Sequence, residues 1–212
     1  RPYVDDGRKQ HRSRVKAARS NREFNGMSQS DTNNKFDITI VGGGMVGISL
    51  ALLLAKQQRW KVLVIESQTI KDLDNSDYSS SFDARSTALS WSSRCIFQKM
   101  GIWSKIEQHA QAISTIHVSD RGHFGLTRLE ANEAGVDALG YVVENSWLGS
   151  VLIQQAIDSD ISLKSDTAIK SINPKSASMA LEIENDGNKQ LINSRLLVVA
   201  DGANSACAKM LG

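Results

Sequence analysis

The chain of 212 residues has two prolines, two cysteines and no long apolar run. None of its apolar stretches approaches the roughly 18 residues that a membrane-spanning helix needs. Scarce proline, and 15 glycines without a fixed period, exclude a collagen-like chain. With 41% hydrophobic residues the chain is too apolar to be wholly disordered. Cys95 and Cys207 lie 112 positions apart, with no CxxC and no clustered histidine. That excludes a disulfide-stapled miniprotein and disfavours a zinc site; free thiols in a reducing compartment fit better. The length allows one sizeable domain.

The formal net charge of +2 hides an asymmetry. Residues 1–26 hold eight basic side chains against Asp5, Asp6 and Glu23, a net +5, so the remainder carries −3. This basic stretch has almost no apolar residues and is expected to be disordered. It could serve as an arm for nucleic acid or an anionic membrane, yet it lacks the apolar stripe of a mitochondrial presequence. The expectation adopted is that residues 1–34 form a basic leader, non-native before Met27.

What is present is a nucleotide-binding pattern. Phe36 to Val41 (FDITIV) is a short, β-branched apolar run of the kind found in buried parallel strands. Gly42-Gly43-Gly44-Met45-Val46-Gly47 follows at once and places G-x-G-x-x-G at 42, 44 and 47. Met45 to Lys56 reads as a helix, and Lys61 to Ile65 as a second strand ending on Glu66. Gly42 permits a tight strand-to-helix turn, Gly44 a close approach of a pyrophosphate, and Gly47 close helix packing. The helix start, with Met45 and Val46, offers N–H groups and a positive dipole end to phosphates. Glu66 stands 19 residues after Gly47, where an acid accepts hydrogen bonds from ribose hydroxyls and repels a 2′-phosphate. Ala51, Leu54 and Val62 complete an FAD-type spacing, but Gln58 occupies the helix end where that pattern carries glycine.

Further along, Lys71 to Ser81 reads as a surface loop. Arg85 follows in FDARSTALS; its guanidinium can fork onto phosphate or simply pair with Asp83 at the surface. Thr87 to Met100 reads as one helix stopped by Gly101. From Ser114 the texture turns to short strands at Thr115 to Val118, Gly125 to Leu129 and Gly140 to Glu144. After a helix from Trp147 to Ile157, strands are expected at Ile161 to Lys164, Met179 to Ile183 and Leu191 to Ile192. Asp186-Gly187-Asn188 is read as a hairpin turn. His117, Asp120 and His123 (HVSDRGH) lack a further nitrogen or sulfur ligand, so no metal site is assigned. Leu196 to Ala200 is a last buried strand, and Asp201-Gly202 after it is either a plain turn or a ligand contact at the carboxyl edge of the sheet. The fold class is therefore α/β. A Rossmann-like βαβ domain (35–113, returning at 191–212) carries an inserted, incomplete antiparallel substrate domain at 114–190.

Three features occur in order: the FAD-type fingerprint with Glu66, FDARSTALS, and LLVVADGANS. Together they resemble the flavin-dependent aromatic hydroxylases. Asp83, Arg85, Ala88 and Leu89 (DxRxxAL) are similar to the ubiquinone-biosynthesis hydroxylases. STIHVSDRGHFG (114–125) and ALGYVVE (138–144) are similar to the 2-polyprenyl-6-methoxyphenol hydroxylase branch. The resemblance spans about 35–212. It implies FAD held by Gly42, Gly44, Met45, Val46, Gly47 and Glu66, with Arg85 near flavin and pyrophosphate. Asp201 and Gly202 would serve FAD and a transient NAD(P)H contact. It further implies hydroxylation of a polyprenylated phenol with NAD(P)H and O₂ through a flavin C4a-hydroperoxide, with no acid or base among the side chains. The implied setting is the cytoplasm. Peripheral association with the inner face of a bacterial membrane, or with a ubiquinone-biosynthesis complex, is compatible with it; nucleic acid is not an expected partner. The competing readings are a hydroxylase of a soluble aromatic acid and a non-catalytic nucleotide-binding module. The family continues beyond the Asp-Gly segment, so the chain is expected to be an N-terminal fragment that cannot hydroxylate alone.

Overall fold

The computed structural model describes residues 34–70, 85–120, 122 and 124–212. The basic leader up to residue 33, the surface loop expected at 71–81, Asp83 and His123 lie outside these residues. Strand β1 (Lys35–Val41) and strand β2 (Val62–Ile65) run parallel, with Ile38–Val41 beside Val62–Ile65. All four residues of β2 are buried. A strand covered on both faces must be apolar throughout rather than alternating, which is why VLVI reads as a continuous run.

Helix α1 (Met45–Ala55) connects them, and its sequence MVGISLALLLA is apolar almost all round. It is covered on two sides, by the sheet and by α4 (Asn145–Ile157). Ile48, Ala51 and Leu52 of α1 meet Leu148, Val151 and Leu152 of α4 over Ile38, Ile40, Val62 and Val64. A second core lies on other strand positions, where Phe36, Leu63 and Ile65 join Ile172, Leu181, Ile192 and Cys207.

The sheet has six strands in the order β8–β2–β1–β11–β10–β9. Strand β8 is Ser162–Lys164, β9 Ala168–Pro174, β10 Met179–Asn185 and β11 Asn188–Val199. β11 joins the two strands expected at 191–192 and 196–200 into one of 12 residues. Its first half pairs antiparallel with β10, and from Asn193 onward it runs parallel to β1. Asp186 (φ 47°) and Gly187 (φ 77°) make the β10–β11 turn with two left-handed residues, as a two-residue hairpin requires.

Two smaller sheets complete the fold. β3 (Ser86–Ser90), β7 (Gly140–Glu144) and β4 (Ala110–Ile113) form one, and β5 (Thr115–Ser119) with β6 (Leu126–Glu130) forms a separate hairpin. β8, β9 and β10 fall within 114–190, yet they hydrogen-bond into the sheet built on β1.

The helix expected from Thr87 starts later. Residues 86–90 are strand β3, held by pairing with β7, and α2 is Trp91–Met100. Ser90 caps α2, its hydroxyl accepting the Ser93 N–H at 3.2 Å, and Gly101 (φ 84°) ends it. A short helix α3 (Trp103–Ile106) follows.

Gln58 takes up the left-handed backbone (φ 52°) that glycine would supply at the end of α1. Its N–H still closes on the Ala55 carbonyl at 2.9 Å. A side chain in that region costs about 1–2 kcal/mol, part of it returned because glycine is freer in the unfolded chain. Gln58→Gly is therefore expected to stabilise the protein by about 1 kcal/mol, or roughly 2–4 °C in Tm. Thermal unfolding checks this; a lower Tm would contradict it.

Candidate functional site

Three neighbouring parallel strands, β2, β1 and β11, end at one edge, and each hands over to a residue marked in the sequence. Glu66 follows β2, the glycine turn follows β1, and Asp201-Gly202 lies just beyond β11. This carboxyl edge is where open α/β sheets bind ligands.

The glycines divide by what surrounds them. Gly42 has φ 107°, and a Cβ there would lie 2.3 Å from the Ala200 carbonyl oxygen. At Gly47 a Cβ would lie 1.9 Å from the Gly42 carbonyl oxygen, so the first turn of α1 rests directly on the glycine turn. A Cβ on Gly43 would press on the Glu66 side chain at 3.0 Å. Gly44 differs: nothing lies within 4 Å of the position its Cβ would take. Gly44 is also the N-cap of α1, which has no side-chain cap and no acid in its first turn. The helix therefore presents its N-terminal amides and positive dipole end at an open position.

Glu66 is 8% exposed. Its Oε2 accepts the Gly43 N–H at 2.6 Å, and its Oε1 accepts the Gln68 N–H at 2.8 Å and the Ser67 hydroxyl at 3.2 Å. Its backbone carbonyl accepts the Thr167 N–H at 3.0 Å. One residue thus ties the glycine turn to the segment after β8.

Asp201 sits before α5 (Ala206–Leu211), where its Oδ2 accepts the Cys207 N–H at 3.2 Å. Its Oδ1 is buried without a hydrogen-bond partner. Burial pulls the carboxyl pKa upward, but Ser205 and the Cys207 amide outweigh it and hold the group below its ordinary value. A depressed folded pKa stabilises fully above the unfolded value of 3.8, and that contribution disappears as pH falls through the lower folded value. Burial, aided by the Asp201 charge, pushes the Cys207 thiol up to about 11. Keeping that thiol neutral stabilises the fold below pH 9.0, and the effect is lost as pH rises toward about 11. Cys95 is half-buried. Titration of the native protein with a disulfide reagent at pH 8 is expected to give one prompt thiol, Cys95, and one slow thiol, Cys207. Two prompt thiols would contradict the burial.

These residues surround a cleft of 560 Å³, within the usual range for small-molecule sites. Gly42, Gly44, Glu66, Asp201 and Gly202 all line it. Gly47 lies behind the turn, Met45 packs on the first core, and Val46 is 74% exposed. Arg85 is exposed just before β3, its carbonyl accepting the Asn145 N–H, and it is not part of the cleft lining. Gln68, Thr167, Ala168 and Cys207 also line the cleft; of these the sequence marks only Cys207, and that as a free thiol rather than a site residue. No sequence signal marks the others, since long-range folding brings them there.

A parallel strand, a glycine turn, an uncapped helix and an acid after the next strand define a dinucleotide-binding fold of the Rossmann type. The FAD binding domain family matches residues 35–212, and the chain belongs to that family.

Among characterised relatives, ubiquinone hydroxylase UbiM of Neisseria meningitidis is 30% identical over 182 residues, 83% of this chain and 38% of that protein. The 3-demethoxyubiquinol 3-hydroxylase of Escherichia coli is 30% identical over 190 residues, 85% and 45% of the two chains. The mitochondrial ubiquinone biosynthesis monooxygenase COQ6 of Dictyostelium discoideum is 25% identical over 200 residues, 87% and 40%. The chain thus spans about two fifths of the length of these relatives.

The fold is shared with p-nitrophenol 4-monooxygenase PnpA from Pseudomonas putida DLL-E4. The TM-score is 0.68 at 18% identity, covering 84% of this chain and 44% of that one. It is also shared with the flavin-dependent monooxygenase PieE in complex with FAD and substrate. Here the TM-score is 0.66 at 19% identity, covering 84% and 32%.

Proposed function

We propose that this chain carries the FAD-binding face of a monooxygenase that hydroxylates the ring of a polyprenylated phenol in ubiquinone biosynthesis, using NAD(P)H and O₂. The observation that carries the reading is one cleft with three fitting features. They are the uncapped start of α1 at Gly44, the Glu66 carboxylate, and the buried, unpartnered Oδ1 of Asp201. An FAD fits this donor and acceptor set. Amides would meet its diphosphate, a carboxylate would meet ribose hydroxyls, and the orphaned oxygen of Asp201 would accept one more hydrogen bond. The names of the ubiquinone-hydroxylase relatives support the substrate class.

When bound, FAD would supply the transfer of electrons from NAD(P)H to O₂ and of one oxygen atom to the ring. The chain's own residues bind and orient. Gly42, Gly44, Met45, Val46 and Gly47 form the turn and helix start that would receive the diphosphate. Glu66 would hold the ribose and repel a 2′-phosphate. Asp201, ionised at neutral pH, and Gly202 would serve FAD and the passing NAD(P)H, while Arg85 would approach the flavin side from β3. The substrate wall would come from 114–190, where β5, β6 and β7 lie outside the sheet built on β1. No described helix is long and apolar enough to cross a membrane. A lipid-tailed phenol would be met at the inner membrane face from the cytoplasm, alone or within a ubiquinone-biosynthesis complex.

The test is genetic. The full-length gene, expressed in a bacterium lacking its own ubiquinone ring hydroxylase, is expected to restore ubiquinone in lipid extracts. Stable expression with no ubiquinone would overturn the reading.

A further inference from the structure

Along the carboxyl edge of the sheet the order of strands sets the order of the site. Asp201 follows β11, the glycine turn follows β1, Glu66 follows β2, and the segment 165–167 follows β8. If the diphosphate sits on the glycine turn and a ribose on Glu66, the ring beyond that ribose meets the wall after β8. Thr167, Ala168 and Ile169 form that wall. Ala168 and Ile169 present a small, apolar surface suited to a flat ring.

What holds this wall comes from two distant parts of the chain. Asp166 is left-handed (φ 52°), a region that aspartate enters more readily than most residues with a side chain. From the far end of β10, Asn185 donates its Nδ2 to the Ser165 carbonyl at 3.1 Å and to the Asp166 carbonyl at 3.0 Å. From the segment after β2, the Thr69 hydroxyl donates to Asp166 Oδ1, and the Gln68 carbonyl accepts the Asp166 N–H at 3.3 Å. The Thr167 N–H then reaches the Glu66 carbonyl at 3.0 Å. The turn is gripped on both sides, and Thr167 lines the cleft beside Glu66.

We propose that Asn185, working with Thr69 through Asp166, is a positioning residue for the cleft wall that receives the adenosine end of the dinucleotide. The proposal rests on the dinucleotide reading given above. Asn185 itself does not line the cleft; it acts through the backbone of residues 165–167.

Titration calorimetry of the 212-residue chain with ADP, and separately with inorganic pyrophosphate, tests it. Wild-type protein is expected to bind both. Asn185→Ala is expected to weaken ADP about tenfold, the scale of one lost hydrogen bond, while pyrophosphate, which needs only the glycine turn, is held as before. Asn185→Asp keeps the shape but has no donor, so it should lose ADP affinity to the same degree. Thr69→Val attacks the same turn from the other side and gives an independent reading should the Asn185 variants fail to fold. If wild-type protein binds no ADP, the dinucleotide reading itself falls. If wild-type binds but Asn185→Asp and Thr69→Val bind ADP equally well, the positioning role is overturned. Equal losses of ADP and pyrophosphate would likewise overturn it, since they would mark a merely structural role.

Discussion

Gly47→Ala is expected to destabilise the protein by about 3 kcal/mol or more, because the added methyl has nowhere to go. Its Cβ would stand 1.9 Å from the Gly42 carbonyl oxygen, and both groups are backbone-fixed, so no rotamer change relieves the overlap. Either α1 lifts off the turn or the turn opens. The first loosens the packing of Ile48, Ala51 and Leu52 on the sheet, and the second shifts the amides at the helix start. For a domain of this size the fall in Tm should be roughly 6–12 °C, measurable by calorimetry or circular dichroism. Gly44→Ala is the informative control. Its Cβ meets no protein atom, so stability should change by only about 1 kcal/mol, the cost of a poorer N-cap. ADP affinity should nevertheless fall, because the methyl enters the space held open for the ligand. If both variants melt alike, the division into a packing glycine and a ligand glycine is wrong.

The second large effect is expected at Glu66. Glu66→Ala removes the acceptor of two backbone donors, the Gly43 N–H at 2.6 Å and the Gln68 N–H at 2.8 Å. Hydrogen bonds to a charged group contribute about 1.5–3 kcal/mol each, and an amide left buried adds its desolvation cost. A loss of about 3 kcal/mol in stability follows from denaturant unfolding. ADP affinity should drop by about a hundredfold, since the carboxylate and the geometry of the turn go together. Glu66→Gln should fall between, for its amide oxygen can keep one of the two donors but carries no charge. A wild-type affinity in Glu66→Gln would show that the charge is irrelevant to the ligand and that only the turn matters.

The unit from Lys35 to Glu66 was legible because every signal in it is local. An apolar run, a glycine turn, a helix former and a second run follow one another with no partner from elsewhere needed. Residues 86–90 show the opposite case. Their helical look was real as local propensity, but pairing with β7 and the Ser90 cap placed the helix start at Trp91. β9 carries no strand signature in the sequence for a different reason. Its pairing slips opposite Glu182 and Ile183, skipping Lys170, so the apolar positions Ile169 and Ile172 fall three apart and break the period of two. The cleft divides in the same way. Gly42, Gly44, Glu66, Asp201 and Gly202 announce themselves as glycines and acids at strand ends. Gln68 and Thr167, with Asn185 behind them, are ordinary polar residues whose positions arise only when β8 and β10 close around the edge. Gln58 stands between the two cases. The sequence showed the missing glycine, and the structure shows the backbone taking glycine's conformation anyway.

The late arrival of β11 has a consequence during synthesis. Val41, at the end of β1, pairs with Val199, so one edge of the strand that carries the glycine turn has no partner until residues 193–199 have been made. At about 5–20 residues per second, roughly 8–30 s separate the emergence of the two strands from the ribosome. For that interval β1, paired with β2 on one side and joined through it by β8 once residue 164 is made, keeps an open edge on the other, a template for pairing with other nascent chains. The β10–β11 hairpin closes locally and quickly around Asp186-Gly187, so β1 gains its second partner by the docking of a finished hairpin. Yield at the ribosome should therefore depend on chaperones that cover exposed strand edges, and slower translation of residues 42–187 would lengthen the exposure.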